Sequence, residues 1–335
     1  MGSVMKAVDI KNGVGPATSL FVNAQTPKPE PKEGEALVSV KAFGLNRMDL
    51  IQRVGKYPLP PGASTILGVE FSGTVESFGP GAHGGFRVGD AVFGLAYGGA
   101  YAEYIAVSTK MLLRKPDSFT WEVAAGIPET FMTATQALHL IGEFAPGQTV
   151  LWHAGASGVS IAGIQLSRDS GAGAIYATAG SDEKCRFVER ELGATRCFNY
   201  RTQDWAKEVL DATGGKGIDL IIDFIGASYF QKNLTAAAKD ARWVMLGLMG
   251  GAVLDGVDCS MLLFKRIRLE GSTLRSRDTD YQARLRDKLA EYIPDFESGK
   301  LKVLIDTVLP MGDVVKAHQL LEENKTTGKI ICTIP

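Results

Sequence analysis

Residues 149–184 read TVLWHAGASGVSIAGIQLSRDSGAGAIYATAGSDEK, and they constrain the fold more than any other stretch of the chain. TVLWHAG is an apolar strand that runs into a turn of small residues. SGVSIAGIQLSRDSGA follows with a helical apolar face (Val159, Ala162, Ile164, Leu166) and a glycine stop at Gly171. AIYATAG is a second strand, and DEKCRFVERELGA a second helix ending at Gly193. GIDLIIDFIG and RWVMLGLMGG are further apolar strands, and IRLEGSTL (267–274) reads as the last. Strands that alternate with helices pair as a doubly wound parallel sheet with right-handed crossovers.

The flanking sequence has another texture. Up to about residue 125 the chain is β-rich, with partial alternation in ALVSVKAFGL (36–45), GVEFSGTVESFG (68–79) and AYAEYIAV (100–107), punctuated by Gly- and Pro-dense turns. This predicts a compact barrel-like domain. The tail after 275 holds a polar helix around Tyr281–Tyr292, the strand VLIDTVLP, a helix around Val314–Glu323 and the strand KIICTIP. These late strands have no place in the central sheet and are expected to rejoin the first domain.

Composition narrows the partners. A formal net charge of −1 leaves no field that would favour nucleic acid or an anionic membrane. No apolar run approaches the length of a membrane span. The chain opens on a strand without a basic leader, so a cytoplasmic placement is expected. Cys185, Cys197, Cys259 and Cys332 lie far apart and form no CxxC pair, which suggests neither a disulfide framework nor a thiolate metal site.

The turn at 155–160 aligns with the dinucleotide-binding pattern G-x-G-x-x-G as Gly155-Ala156-Ser157-Gly158-Val159-Ser160. Only the first glycine of the pattern is kept. A helix N-terminus still offers free N–H groups and a positive dipole end to a pyrophosphate, and the Ser157 hydroxyl could donate to a phosphate. The bland alternative is a tight strand–helix turn with no ligand. NAD sites place an acid about 20 residues past the first glycine to hold the ribose hydroxyls. Here that region reads Thr178-Ala179-Gly180-Ser181, with Lys184 close behind. Ser181 and Lys184 suit a 2′-phosphate, which points to NADPH. Asp182 and Glu183 come slightly late and would favour the N-terminus of the next helix.

Long segments then carry a resemblance. GLNRMDLIQRVGKYPLPPGAS (44–64), ILGVEFSGTV (66–75), GIPETFMTATQALHLIG (126–142), HAGASGVS (153–160), DFIGASYFQKN (223–233), LRSRD (274–278) and NKTTGKI (324–330) resemble the zinc-free quinone oxidoreductases of the medium-chain dehydrogenase/reductase superfamily, which include zeta-crystallin. The likeness is strongest to the stress-inducible, apoptosis-linked NADPH:quinone oxidoreductase branch. It implies a GroES-like barrel over 1–125 and 267–335, a Rossmann domain over 126–266, an active site in the cleft between them, and a homodimer formed at the sheet edge around Ile267–Leu274.

The resemblance also implies site residues. Zinc-dependent relatives bind metal through a Cys and a Gly-His-Glu motif; here those positions read Asn46 and Gly68-Val69-Glu70, so no metal is expected. A quinone accepts hydride without a Lewis acid because reduction makes it aromatic. Asn46 is a candidate to hold a quinone carbonyl or the nicotinamide ribose, Tyr57 to line the slot and bond the acceptor oxygen, and Thr133 to lie near the nicotinamide. Their plain alternatives are a turn stabiliser, a loop aromatic packed on prolines, and a helix cap. Asp49 and Glu70 read as structural, and His153 as a structural histidine. Tyr200 is expected beside the adenosine phosphate, the loop Gly247-Leu248-Met249 beside the nicotinamide, and Asn324 and Lys325 near the cofactor. Ser160, where the pattern has glycine, calls close helix packing into question.

The expected activity is NADPH-dependent reduction of a small-molecule quinone, by hydride or single-electron delivery, without nucleic-acid or membrane partners. An enal or enone reductase is the nearest alternative, and a non-catalytic, crystallin-like NADPH-binding protein the next.

Overall fold

The computed structural model describes residues 2–81 and 83–335, and the chain divides into two compact units: Met1–Met132 with Arg275–Pro335, and Thr133–Leu274. The boundaries thus fall after Met132 and Leu274, later in the chain than the expected seams at 125/126 and 266/267.

In the first unit β1 (Val4–Ile10) pairs antiparallel with β2 (Leu20–Pro27). The larger sheet uses β3 (Glu35–Gly44), β4 (Glu70–Phe78), β5 (Ala91–Leu95), β6 (Tyr104–Ser108) and β7 (Leu112–Arg114). The tail returns to it: β14 (Ile305–Pro310) and β15 (Lys329–Thr333) complete the order β14-β15-β3-β4-β5-β7, and β6 pairs with β3. The homeless strands of the tail therefore belong to this unit. Helix α1 (Arg47–Arg53) leaves the end of β3, and the short α2 (Trp121–Ala125) precedes α3 (Pro128–Thr135).

The second unit holds β8 (Thr149–Trp152), α4 (Gly158–Asp169), β9 (Ala174–Ala179), α5 (Asp182–Leu192), β10 (Arg196–Asn199), α6 (Trp205–Ala212), β11 (Ile218–Asp223), α7 (Phe230–Ala236), β12 (Ala237–Met245), α8 (Ser260–Phe264) and β13 (Arg268–Gly271). All its strand pairs are parallel, in the order β10-β9-β8-β11-β12-β13. The order reverses between β8 and β11, and the crevice at such a switch point is where doubly wound sheets bind dinucleotides. Near-continuous apolar strands are required because helices cover both faces. One side of the core is built from Leu151, Phe198, Trp205, Ile221 and Trp243, all buried.

The tail also supplies α9 (Thr279–Glu291), α10 (Ile293–Glu297) and α11 (Val314–Glu322) to the first unit. Among the described residues, no helix is long and apolar enough to cross a membrane.

Candidate active site

In the first unit the chemistry gathers around α1. Asn46 stands at its N-cap, and its backbone N–H donates to Asp49 at 2.8 Å. Its side-chain Nδ2 donates to Glu70 Oε1 at 2.9 Å, while its Oδ1 accepts from Lys329 Nζ at 2.8 Å. Lys329 also donates to Glu70 Oε1 at 2.5 Å and to the Leu45 carbonyl at 2.7 Å. All three ammonium protons are therefore used. Glu70 Oε2 accepts the Glu129 N–H at 2.9 Å, so the buried carboxylate is satisfied at both oxygens. A buried ion pair persists when its remaining donors and acceptors are met in this way.

Asp49 is buried as well and accepts from Asn46, Tyr101 Oη (3.0 Å) and the Gly68 N–H (3.2 Å). Burial nonetheless outweighs these donors and pushes its carboxyl up to about 6. Burial, reinforced by the charge of Glu70, pushes Glu129 up to about 7. Tyr57 is half-buried in a loop whose neighbours are exposed, and the Arg275 guanidinium lies 5.3 Å from its ring centroid. Asn324, in the left-handed region at φ +55°, accepts from the Arg47 guanidinium. Lys325 lies at the surface, paired with Glu323 at 2.8 Å.

The second unit carries the nucleotide-binding features. Gly155 follows β8, and a Cβ there would come within 2.9 Å of Ala177, so the turn hugs the neighbouring strand. Ser157 caps α4 by accepting the Ser160 N–H. The N–H groups of Gly158 and Val159, in the first turn, have no intrahelical acceptor. Ser160 is fully buried, and its hydroxyl donates to the His153 carbonyl at 2.7 Å. It therefore fastens the helix to the strand where the glycine pattern would only have allowed approach. The close contact itself falls at Gly163, where a Cβ would lie 2.2 Å from the Trp152 ring.

At the end of β9, Ser181 caps α5 by accepting the Lys184 N–H at 3.2 Å, leaving its own hydroxyl proton to donate. The carboxylate of Asp182 is engaged by Asn199 Nδ2 at 2.7 Å. No acid stands at the position from which NAD sites grip the ribose. Gly180 faces Tyr200: a Cβ there would meet the phenol oxygen at 2.7 Å. The loop after β12 is packed on residues 224–228, since a Cβ on Gly247 would meet the Phe224 carbonyl at 3.0 Å; Leu248 and Met249 stay about half exposed. Ala156 is buried, and Thr133 is buried on α3.

Sequence reasoning missed a buried hydrogen-bond chain beneath this surface. Asn233 Nδ2 donates to Asp223 at 3.1 Å, so its Oδ1 faces His153 Nε2 at 2.7 Å and accepts from it. His153 Nδ1 then accepts from Thr178 Oγ1 at 3.0 Å, and Trp243 Nε1 also donates to Asp223, at 3.2 Å. Burial holds the imidazole below its ordinary range. The chain ties the C-terminal ends of β8, β9, β11 and β12. Also missed were Lys329 and Arg275. The sequence signal for Lys329 was a charged residue at the head of an apolar strand, GKIICTIP, whereas Arg275 lies in the polar stretch LRSRD.

Comparison with known proteins agrees with this anatomy. The family described as "Zinc-binding dehydrogenase" matches residues 158–291, and that described as "Alcohol dehydrogenase GroES-like domain" matches residues 32–117. Among the described residues, no group of three or more His, Cys, Asp or Glu could hold a metal ion. An NAD-dependent alcohol dehydrogenase structure is 33% identical with a TM-score of 0.85, covering 99% of this chain and 100% of its own. The quinone oxidoreductase of Escherichia coli, solved with NADPH, is 26% identical with a TM-score of 0.87, covering 98% and 100%. A phenolphthiocerol/phthiocerol polyketide synthase subunit of Mycobacterium tuberculosis is 30% identical over 91% of this chain; the chain spans only 14% of that protein. With a GroES-like unit, a 3-2-1-4-5-6 parallel sheet and full-length structural relatives of this kind, the chain belongs to the medium-chain dehydrogenase/reductase superfamily of oxidoreductases.

Proposed function

We propose that the chain is an NADPH-dependent reductase of quinones that works without a metal. The acid-free end of β9 carries the cofactor reading. There Ser181 keeps a hydroxyl proton to donate, Lys184 follows, and the nearest carboxylate, Asp182, is engaged by Asn199. A 2′-phosphate meets donors and a cation at such a site, not a repelling acid. The N–H groups of Gly158 and Val159 would receive the pyrophosphate, Gly155 admits it closely, and Tyr200 would flank the adenosine. Leu248 and Met249, with Thr133, Asn324 and Lys325, are the remaining candidates to line the cofactor. The NADPH-bound quinone oxidoreductase relative supports this assignment, whereas the NAD-dependent alcohol dehydrogenase relative marks the competing cofactor.

When bound, the nicotinamide supplies hydride. The chain has to place a flat acceptor, exclude water and furnish a hydrogen bond or proton to its oxygen. Tyr57 is the candidate donor. Asn46 spends one N–H on Glu70 and retains a second, with which it can orient a carbonyl. The zinc-ligand positions of the dependent relatives read Asn46 for the Cys and Val69 for the His, and Asn46 and Glu70, next to Val69, both face the ammonium of Lys329 here. A resident cation thus takes up their lone pairs, and a quinone needs no Lewis acid to accept hydride.

A second reading, reduction of carbon–carbon double bonds conjugated to a carbonyl, is favoured by the match to a polyketide synthase segment. It uses the same cofactor and the same donor. Side-by-side kcat/KM values with NADPH for 1,4-benzoquinone, 9,10-phenanthrenequinone and straight-chain enals separate the two. Faster quinone turnover supports the first reading; enals reduced far faster than any quinone transfer the function to the second.

We also propose a homodimer through β13. Every residue of this edge strand is exposed, and Leu263 and Phe264, on the helix that leads into it, are 75% and 68% exposed. A bare parallel-sheet edge flanked by apolar side chains is a template for a second copy.

A further inference from the structure

Arg275 is almost wholly buried, at 3% exposure, and among the described residues it forms no ion pair with a carboxylate. Its guanidinium is instead held by neutral groups. Nε and Nη2 donate to the Tyr97 carbonyl at 2.8 and 2.5 Å, and Nη1 donates to Gln52 Oε1 at 2.7 Å. Gln52 in turn sends Nε2 to the Thr65 carbonyl at 3.1 Å. That bond closes the base of the loop that runs from the end of α1 to residue 65. The loop's sequence, VGKYPLPPGAST, is mostly exposed, with Tyr57, Pro60 and Ala63 partly buried, and Tyr57 is the aromatic it turns inward. The guanidinium sits 5.3 Å from that ring, within cation–π range. Gly98 makes room for the arrangement: a Cβ there would lie 3.0 Å from Arg275 Nη2 and 2.8 Å from the Ser64 carbonyl.

We propose that Arg275 is the positioning residue of the acceptor site: through Gln52 it clamps the 54–64 loop, and it sets a buried positive charge against Tyr57, so that the phenol is presented in one orientation as a stronger donor to the acceptor oxygen. This rests on the reductase reading above. A guanidinium buried without a carboxylate in direct contact is costly even with Asp49 and Glu129 near enough for their charges to be felt, and a developing oxyanion on a reduced quinone or enone is the kind of charge that helps to offset that cost. The charged groups that face Tyr57 are Glu129 from α3, Asp49 from α1 and Arg275 itself. Burial and the two carboxyls push the phenol up, and Arg275 pulls it down.

The test uses the full chain labelled with 3-fluorotyrosine, whose ring fluorine lowers the phenol's titration into a measurable range. The Tyr57 resonance is assigned by its loss in Tyr57→Phe. In Arg275→Met it is expected to shift and to titrate at higher pH, and in Arg275→Lys the midpoint is expected to return toward the wild-type value. With the best acceptor, kcat/KM is expected to fall about 100-fold in Arg275→Met, the scale for misplacing a positioned group, while KM for NADPH changes little. A folded Arg275→Met whose Tyr57 resonance and midpoint match the wild type overturns the proposal. Should that variant fail to fold, Gln52→Ala decides: it keeps the charge and opens the clamp, and an unmoved Tyr57 resonance overturns the proposal equally. A wild-type protein that reduces no acceptor, with a Tyr57 resonance that still answers to Arg275, would remove the reductase reading and leave the clamp established.

Discussion

Lys329 and Glu70, 259 positions apart in the chain, meet at 2.5 Å in the interior of the first unit, and between them they fix the carboxamide of Asn46. Neither charge reaches water, and every donor on the ammonium has an acceptor. Removing one partner therefore strands the other. Lys329→Met is expected to destabilise the protein by about 3–5 kcal/mol, the usual cost of an orphaned buried charge. The double variant Lys329→Met with Glu70→Gln is expected to recover part of that loss. Chemical denaturation of the four proteins in the cycle checks it, and equal losses in single and double variants would contradict it.

The cofactor site makes a separate prediction. Lys184→Glu places an acid beside the Ser181 hydroxyl, where a 2′-phosphate is expected. KM for NADPH should rise about tenfold or more, the scale of one lost charge-assisted hydrogen bond. KM for NADH should fall or stay level. Parallel initial-rate measurements with the two cofactors read the difference directly.

Helix α4 offers a packing test. A Cβ at Gly163 would lie 2.2 Å from the ring of Trp152, which is itself buried and bonded through Nε1 to Ser167 Oγ at 3.0 Å. Gly163→Ala is expected to cost ~1–3 kcal/mol or more, because the indole cannot retreat from both contacts. Ser160→Gly removes the hydroxyl that bonds the His153 carbonyl and adds a flexible residue to the first turn, so it too should destabilise, by about 1 kcal/mol. Thermal melts rank the two.

The pH dependence of stability has two limbs of opposite sign. Burial holds His318 down to about 3 and His153 below its ordinary range. The unfolded chain therefore takes up protons below about 6.5 that the folded chain refuses, and stability falls as pH drops through that value. Glu129, raised to about 7, works the other way: its contribution is complete below the ordinary glutamate value and is lost as pH rises through about 7. Glu129→Gln removes that loss. It should gain stability relative to wild type between pH 5 and pH 8, and a difference independent of pH would contradict the assignment.

Dimer formation through β13 is read from sedimentation. Leu269→Lys and Leu263→Glu put charges on the exposed edge and on its apolar flank. Both variants should sediment as monomers under conditions in which the wild type does not. Unchanged sedimentation would place any interface elsewhere.

The two architectures were legible for different reasons. The second unit declares itself through local order: each strand, turn and helix from Thr149 to Gly193 sits in one continuous stretch, and the apolar pattern changes period at each junction. The tail strands could be assigned only by exclusion, since nothing local in VLIDTVLP says that it joins β15 and β3. At the site, legibility stopped where contacts become long-range. Ser160 read as a defect in a glycine pattern because its acceptor, the His153 carbonyl, is not a feature of the pattern. Lys329 reaches Asn46 across 283 positions, and Arg275 reaches Gln52 across 223. A lone charge at the head of an apolar strand marks Lys329 as unusual, while Arg275 lies in the polar stretch LRSRD and carries no such mark; in both cases the partner is set by the topology of the whole unit.

The most direct test of the account is steady-state oxidation of NADPH and of NADH, each with 1,4-benzoquinone and 9,10-phenanthrenequinone, with and without EDTA. The account predicts a strong preference for NADPH, quinone turnover unaffected by the chelator, and loss of the preference in Lys184→Glu. Equal or better use of NADH, or activity abolished by EDTA and restored by zinc, would contradict it.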